Sequence, residues 1–132
     1  MTTLEQWLAF IATHLPQPVR EERDGDLTTF TGGDPVEVIV RLTPSTITVF
    51  EYAVGWTASD TPVPAPRRIG TVVWRRARTP EMIKAVAALI GAAREARLEK
   101  FRICERCERS IPPEWMDDER ICQSCADAEA AR

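Results

Sequence analysis

Four cysteines are the residues of this 132-residue chain best equipped for chemistry, and all of them fall in its last quarter. They lie in the stretch RICERCERSIPPEWMDDERICQSC, from Arg102 to Cys125. Two residues separate Cys104 from Cys107 and Cys122 from Cys125, and fourteen lie between the pairs. A Cys-x-x-Cys turn lets two thiolates reach one ion, and two such turns complete a tetrahedral shell at zinc–sulfur distances of about 2.3 Å. Four thiolates leave no position for water, so the expected role is structural rather than catalytic. The expectation is one structural Zn2+ on Cys104, Cys107, Cys122 and Cys125. Its shell would carry a formal negative charge that Arg102, Arg106, Arg109 and Arg120 can offset.

Disulfides, a redox pair and an iron or iron–sulfur centre are the competing uses of such thiols. The opening MTTLEQWLAF lacks a basic leader region and carries Glu5, unlike a signal peptide. The expected location is therefore cytoplasmic, where thiols stay reduced. A redox Cys-x-x-Cys normally sits on a thioredoxin-like βαβ pattern, which the sequence does not show. No apolar run approaches the roughly 18 residues of a membrane span.

Between the cysteine pairs, Ser110-Ile111-Pro112-Pro113 reads as a bend, and Ile111, Trp115, Met116 and Ile121 could cover the metal. After Cys122, QSCADAEAAR favours a helix whose N-terminal dipole would help hold the last two thiolates. The expected module, residues 102–132, is of treble-clef or zinc-ribbon type. The stretch CERCERSIPPEWMDDERICQSC resembles the four-cysteine zinc finger of the DksA/TraR family, with Ile111-Pro112 at the family's Ile-Pro bend. The resemblance covers about residues 102–125 and implies zinc on the same four cysteines. Glu108 stands where that family usually has glycine. The long helical hairpin through which that family engages RNA polymerase has no counterpart in residues 1–101.

Those residues read as an α+β domain in the order α-β-β-β-α. In TLEQWLAFIATHL, Leu4, Trp7, Leu8, Ile11 and Leu15 share a helical face. Thr2 or Thr3 can cap it, and Pro16 and Pro18 end it. QPVREERDGD is then expected as a polar loop. VEVIVRL and TITVFEYAV predict two strands joined by a short turn, and RIGTVVWRR a third. LTTFT adds a possible edge strand, for a small antiparallel sheet of three to four. The segment from Gly55 to Pro66 is proline-rich, either a partner-binding stretch or, more simply, a linker. TPEMIKAVAALIGAAREARLEKF predicts the second helix, with Met82, Val86, Leu89, Ile90, Ala93 and Arg97 on one face. Both helices are expected on the same sheet face.

Charge is segregated. Residues 1–66 hold three basic against nine acidic residues, residues 67–109 twelve against five, and residues 110–132 two against six. A basic middle could meet an anionic partner, or its arginines could face the chain's own acids. His14, the sole histidine, ends the first helix, where it can complement the dipole. No P-loop, GxGxxG, HExxH or GxSxG motif occurs, so a non-enzymatic role is expected. The first expectation is a zinc-binding adaptor or regulator with a protein partner, using Trp56 and Trp115 as anchors. The alternative is a nucleic-acid binder using Arg75, Arg76 and Arg78, although the sequence pI near 5.3 weighs against one.

Overall fold

The computed structural model describes residues 3–75 and 79–131. Helix α1, Leu4–His14, starts at a closed capping box: the Thr3 hydroxyl accepts from the Gln6 amide, and the Gln6 side chain accepts from the Thr3 amide. Trp7, Ile11 and Leu15 are buried, whereas Leu4 at the helix start is exposed. His14 stacks on Phe10 with ring centroids 4.0 Å apart.

Five strands form one antiparallel sheet: β1 (Val19–Asp24), β2 (Leu27–Gly32), β3 (Val38–Leu42), β4 (Thr46–Glu51) and, beyond a separate hairpin, β7 (Arg67–Val73), in the order β1-β2-β3-β4-β7. This corrects the expected three to four strands. The polar stretch VREERD is a strand, not a loop, because a turn at Gly25, with φ of +60°, folds it back on β2. It carries no apolar alternation because it is the outer strand and almost wholly exposed; its charges guard a sheet edge against further pairing. Strand β2 is consequently interior, paired on both sides. The proline-rich segment also departs from a plain linker: β5 (Val54–Trp56) and β6 (Pro62–Pro64) pair as a small hairpin.

Period-two alternation sends Phe30, Val38, Val40, Leu42, Ile47 and Val49 to one face, all fully buried. Phe30, Val40, Val49 and Gly70 stand opposite one another across four strands. A Cβ on Gly70 would lie 2.7 Å from Leu89 Cδ2, so glycine here lets the second helix close onto the sheet. That helix, α2 (Thr79–Glu99), buries Val86, Ile90, Ala93 and Arg97, with Met82 and Leu89 packed at the margin. Both helices join one core on this face, as the sequence leads one to expect. Burying each such aliphatic side chain contributes about 1.5–3 kcal/mol.

The same alternation places Glu51 on the inward face, at 0% exposure. Arg67 Nε at 2.8 Å and Lys100 Nζ at 2.5 Å neutralise it, so strand β7 and the end of α2 are tied to the sheet by one carboxylate. Among the described residues no helix is long and apolar enough to cross a membrane.

Candidate metal centre

Strands β8 (Arg102–Ile103) and β9 (Ser110–Ile111) pair antiparallel, and the first two cysteines lie in the turn between them. Cys104 donates its amide to the Arg109 carbonyl at 3.0 Å, and Glu108 donates to the Cys104 carbonyl at 2.9 Å. Closing this turn puts Glu108 at φ +60°, a conformation that favours glycine. The departure from glycine seen in the sequence thus falls on a residue with left-handed backbone. A single 3-10 turn, Pro113–Trp115, then leads through Met116, which bridges to Cys122. Helix α3 (Gln123–Ala130) follows with Cys122 as its N-cap and Cys125 in its first turn.

Folding gathers the four sulfurs within 4.8 Å of one another. Cys104 and Cys125 are 3.8 Å apart and Cys107 and Cys122 3.9 Å. A disulfide needs about 2.05 Å, and all four thiols are free. Sulfurs placed tetrahedrally at about 2.3 Å from one ion lie about 3.8 Å apart, a spacing these two pairs match. The four cysteines are positioned to bind a metal ion.

The surroundings favour thiolates at the first pair. Amides of Cys107, Cys122 and Arg106 point at Cys104 Sγ from 3.4–3.5 Å. These hydrogen bonds, led by the Cys107 and Cys122 amides, bring its pKa down to about 6. The Arg109 side chain, followed by its amide, lowers that of Cys107. Cys125 is pushed up to about 12, first by its hydrogen bond with Cys122 and then by burial. Four crowded sulfurs cannot all ionise without a cation among them, and a metal ion supplies that charge.

Cys104, Cys122 and Ile111 form a small buried cluster, flanked by Met116 and Ile121. Trp115 does not cover the site as expected; its indole is 48% exposed. Trp56, on β5, is 53% exposed. The two tryptophans line different grooves. Of the arginines suggested for nucleic acid, Arg75 lies over the Trp74 ring at 5.5 Å; Arg76 and Arg78 fall outside the described residues.

Part of the basic middle of the chain pairs with the chain's own acids. Besides the pairs on Glu51, Arg94 meets Glu37 and Arg106 meets Glu129, and further on Arg120 meets Glu105. One pair has structural reach. Arg97 Nη2 contacts Glu114 Oε2 at 2.6 Å, with the side chains 1% and 11% exposed. Arg97 Nε donates to the Val36 carbonyl at 3.0 Å, and the guanidinium lies 4.9 Å from the Tyr52 ring and 5.0 Å from that of Phe101. Glu114 belongs to the segment between the cysteine pairs, so this contact fastens the cysteine module to helix α2 and the sheet. Helical periodicity places Arg97 on the buried face; nothing local in the sequence marks Glu114 as its partner. For Glu51 the sequence does carry a signal: the alternation Ile47, Val49, Glu51 points it inward.

Beside this junction lies an open cleft of about 630 Å3. Val54 and Trp56 form one wall, the end of α2 with Lys100 and Arg102 another, and Met116 through Glu119 the third. The cleft therefore exists only where the cysteine module meets the α+β domain.

No family model matches the chain, and neither the curated proteins nor the solved structures yield a match.

Proposed function

We propose that this chain is a small, non-enzymatic adaptor or regulator whose four-cysteine module holds a structural zinc ion and whose partner is a protein. The observation that carries this reading is the junction. Four sulfurs at metal-shell spacing sit in a module pinned by the Arg97–Glu114 pair, and the module supplies one wall of a cleft rimmed by exposed Trp56. Zinc organises that wall; the wall completes the binding face. A closed tetrathiolate has no open position for substrate or water, which favours structure over catalysis. The β8–β9 knuckle followed by ligands at the start of α3 supports a treble-clef type of module, in keeping with the resemblance to the DksA/TraR finger. Reduced thiols at such spacing suit a cytoplasmic setting.

Exposed aromatics on rigid elements are frequent interface anchors, and Trp56 and Trp115 are the exposed tryptophans among the described residues. Several of its basic residues, Arg67, Arg94, Arg97 and Lys100 among them, are paired with internal acids, which lowers the positive charge open to a phosphate backbone. The test is partner capture by the zinc-loaded protein and by Trp56→Ala and Trp115→Ala, beside an Arg75→Glu/Arg76→Glu/Arg78→Glu variant and generic DNA and RNA. Loss of a protein partner in the tryptophan variants supports the proposal. Salt-sensitive nucleic-acid binding lost only in the arginine variant would replace it with the nucleic-acid alternative.

A further inference from the structure

We propose that the sheet face turned away from the helices binds single-stranded nucleic acid, with Phe50 and Arg41 as a stacking platform and Arg20, Arg41 and Arg68 as phosphate contacts. The proposal goes beyond the protein-partner reading and uses a different surface. Helices α1 and α2 both pack on the inward face of the sheet, so the outward face carries neither of them. Strand pairing sets Arg20, Thr31, Ile39, Phe50 and Arg68 side by side on that face, across all five strands. The next row holds Glu22, Thr29, Arg41, Thr48 and Thr71. Contacts between side chains agree with this orientation: the Arg41 guanidinium lies 5.0 Å from the Phe50 ring centroid, and the Thr48 and Thr71 hydroxyls are 3.0 Å apart. Ile39 and Phe50 are half-buried and lie outside the core. Neighbouring strands run about 4.8 Å apart, so Arg20 and Arg68 stand about 19 Å from one another, which makes an extended track rather than a pocket.

Charge on this track favours an anion. Arg20, Arg41 and Arg68 are exposed and form no ion pair among the described residues. Their neighbour Arg67 points to the other face and meets Glu51 there. The acids of the outward strand positions, Glu22 and Asp24, both belong to the outer strand β1, opposite Thr29 and Leu27. The row through Phe50 therefore carries arginine at both ends and no acid, and Arg41 adds a further cation above the ring. Like charges on one face also disfavour its packing against a second copy of itself.

The aromatic at the centre of the track narrows the class of anion. Bases stack on phenylalanine rings and on guanidinium planes, whereas an aspartate or glutamate side chain has no such face. Phe50 under Arg41 offers both surfaces between phosphate-binding cations. A pleated face of short threonines presents no helix or ribbon to enter a duplex groove, and a single strand exposes its bases without one.

The experiment uses the full, zinc-loaded chain and a fluorescein-labelled single-stranded oligothymidine of about eight nucleotides, within the span such surfaces cover. Anisotropy should show binding at low salt whose affinity falls with a log–log slope of about −2 for roughly three phosphate contacts, or about fifteenfold between about 50 and 200 mM salt. Arg41→Gln/Arg68→Gln should cut that slope by more than half, and Phe50→Leu should weaken binding by about tenfold with the slope kept. These side chains lie outside the core, so the variants should melt with the wild type. Trp56→Ala should leave the affinity unchanged, which separates this test from that of the protein partner. Tighter binding of a duplex of the same length, or full competition by a polyglutamate peptide, would overturn the proposal in favour of a plain phosphate or acidic-peptide surface. Loss of binding only in Arg75→Glu/Arg76→Glu/Arg78→Glu would also overturn it. So would no binding at low salt; a dimer in sedimentation that Phe50→Leu dissolves would then give the face to a second copy.

Discussion

Removing the Glu114 carboxylate should destabilise the α+β domain from outside its sequence. Arg97 is 1% exposed and Glu114 11%, so Glu114→Ala leaves a buried guanidinium without its counter-charge. Breaking a buried pair from one side costs about 3–5 kcal/mol. Arg97 keeps the Val36 carbonyl and the Tyr52 and Phe101 rings, which argues for the lower end, about 3 kcal/mol. For a chain of this size that is a fall in melting temperature of roughly 10 °C. Trp7 and Trp74 lie in the domain core, and urea titration followed by their fluorescence reads the loss with metal kept in place. Glu114→Gln keeps an acceptor oxygen and should cost less. Arg97→Met combined with Glu114→Leu should recover much of the loss, because an apolar pair replaces a half-broken ionic one. A Glu114→Ala protein within about 0.5 kcal/mol of wild type, the range of an ordinary surface change, would refute the junction as a source of stability.

Three further outcomes follow from the geometry. Removing the metal with a chelator should lower the stability of the core as well as loosening residues 102–131, since Glu114 is then no longer held against Arg97; identical core melts with and without metal would contradict this. Glu108 has φ +60°, so Glu108→Val should weaken metal binding by about 1 kcal/mol or more and Glu108→Gly should be close to neutral, measured by competition with a metallochromic chelator. Cys104 is lowered from 9.0 to about 6, so its thiolate favours the folded knuckle, an advantage fully present above pH 9 and lost as pH falls through about 6; metal release should rise between pH 7 and 5, followed with the same dye.

Much of this was legible because it is written locally. The doubled Cys-x-x-Cys, the Thr3 capping box and the α2 face through Val86, Ile90, Ala93 and Arg97 each depend on residues a few positions apart. Strand β1 escaped because VREERD lies at a sheet edge with no apolar side to bury, so pairing rather than hydrophobicity makes it a strand. The β5–β6 hairpin was hidden by its own prolines, which a two-stranded ribbon tolerates because both strands are edges. Arg97–Glu114 and Glu51–Lys100 join residues 17 and 49 positions apart, and only the closed tertiary fold selects which acid each cation meets. Trp115 lies between the cysteine pairs with Met116 and so reads as a cover for the metal, yet Met116 packs on the sulfurs while Trp115, in the 3-10 turn, is 48% exposed.

The central claim is a metal-organised module, and elemental analysis of carefully purified protein tests it most directly. The account predicts one zinc per chain, retained through gel filtration and lost on Cys107→Ser or Cys122→Ser. Less than about half an equivalent of zinc or iron would contradict it, whereas iron in place of zinc would keep the module and change only its metal.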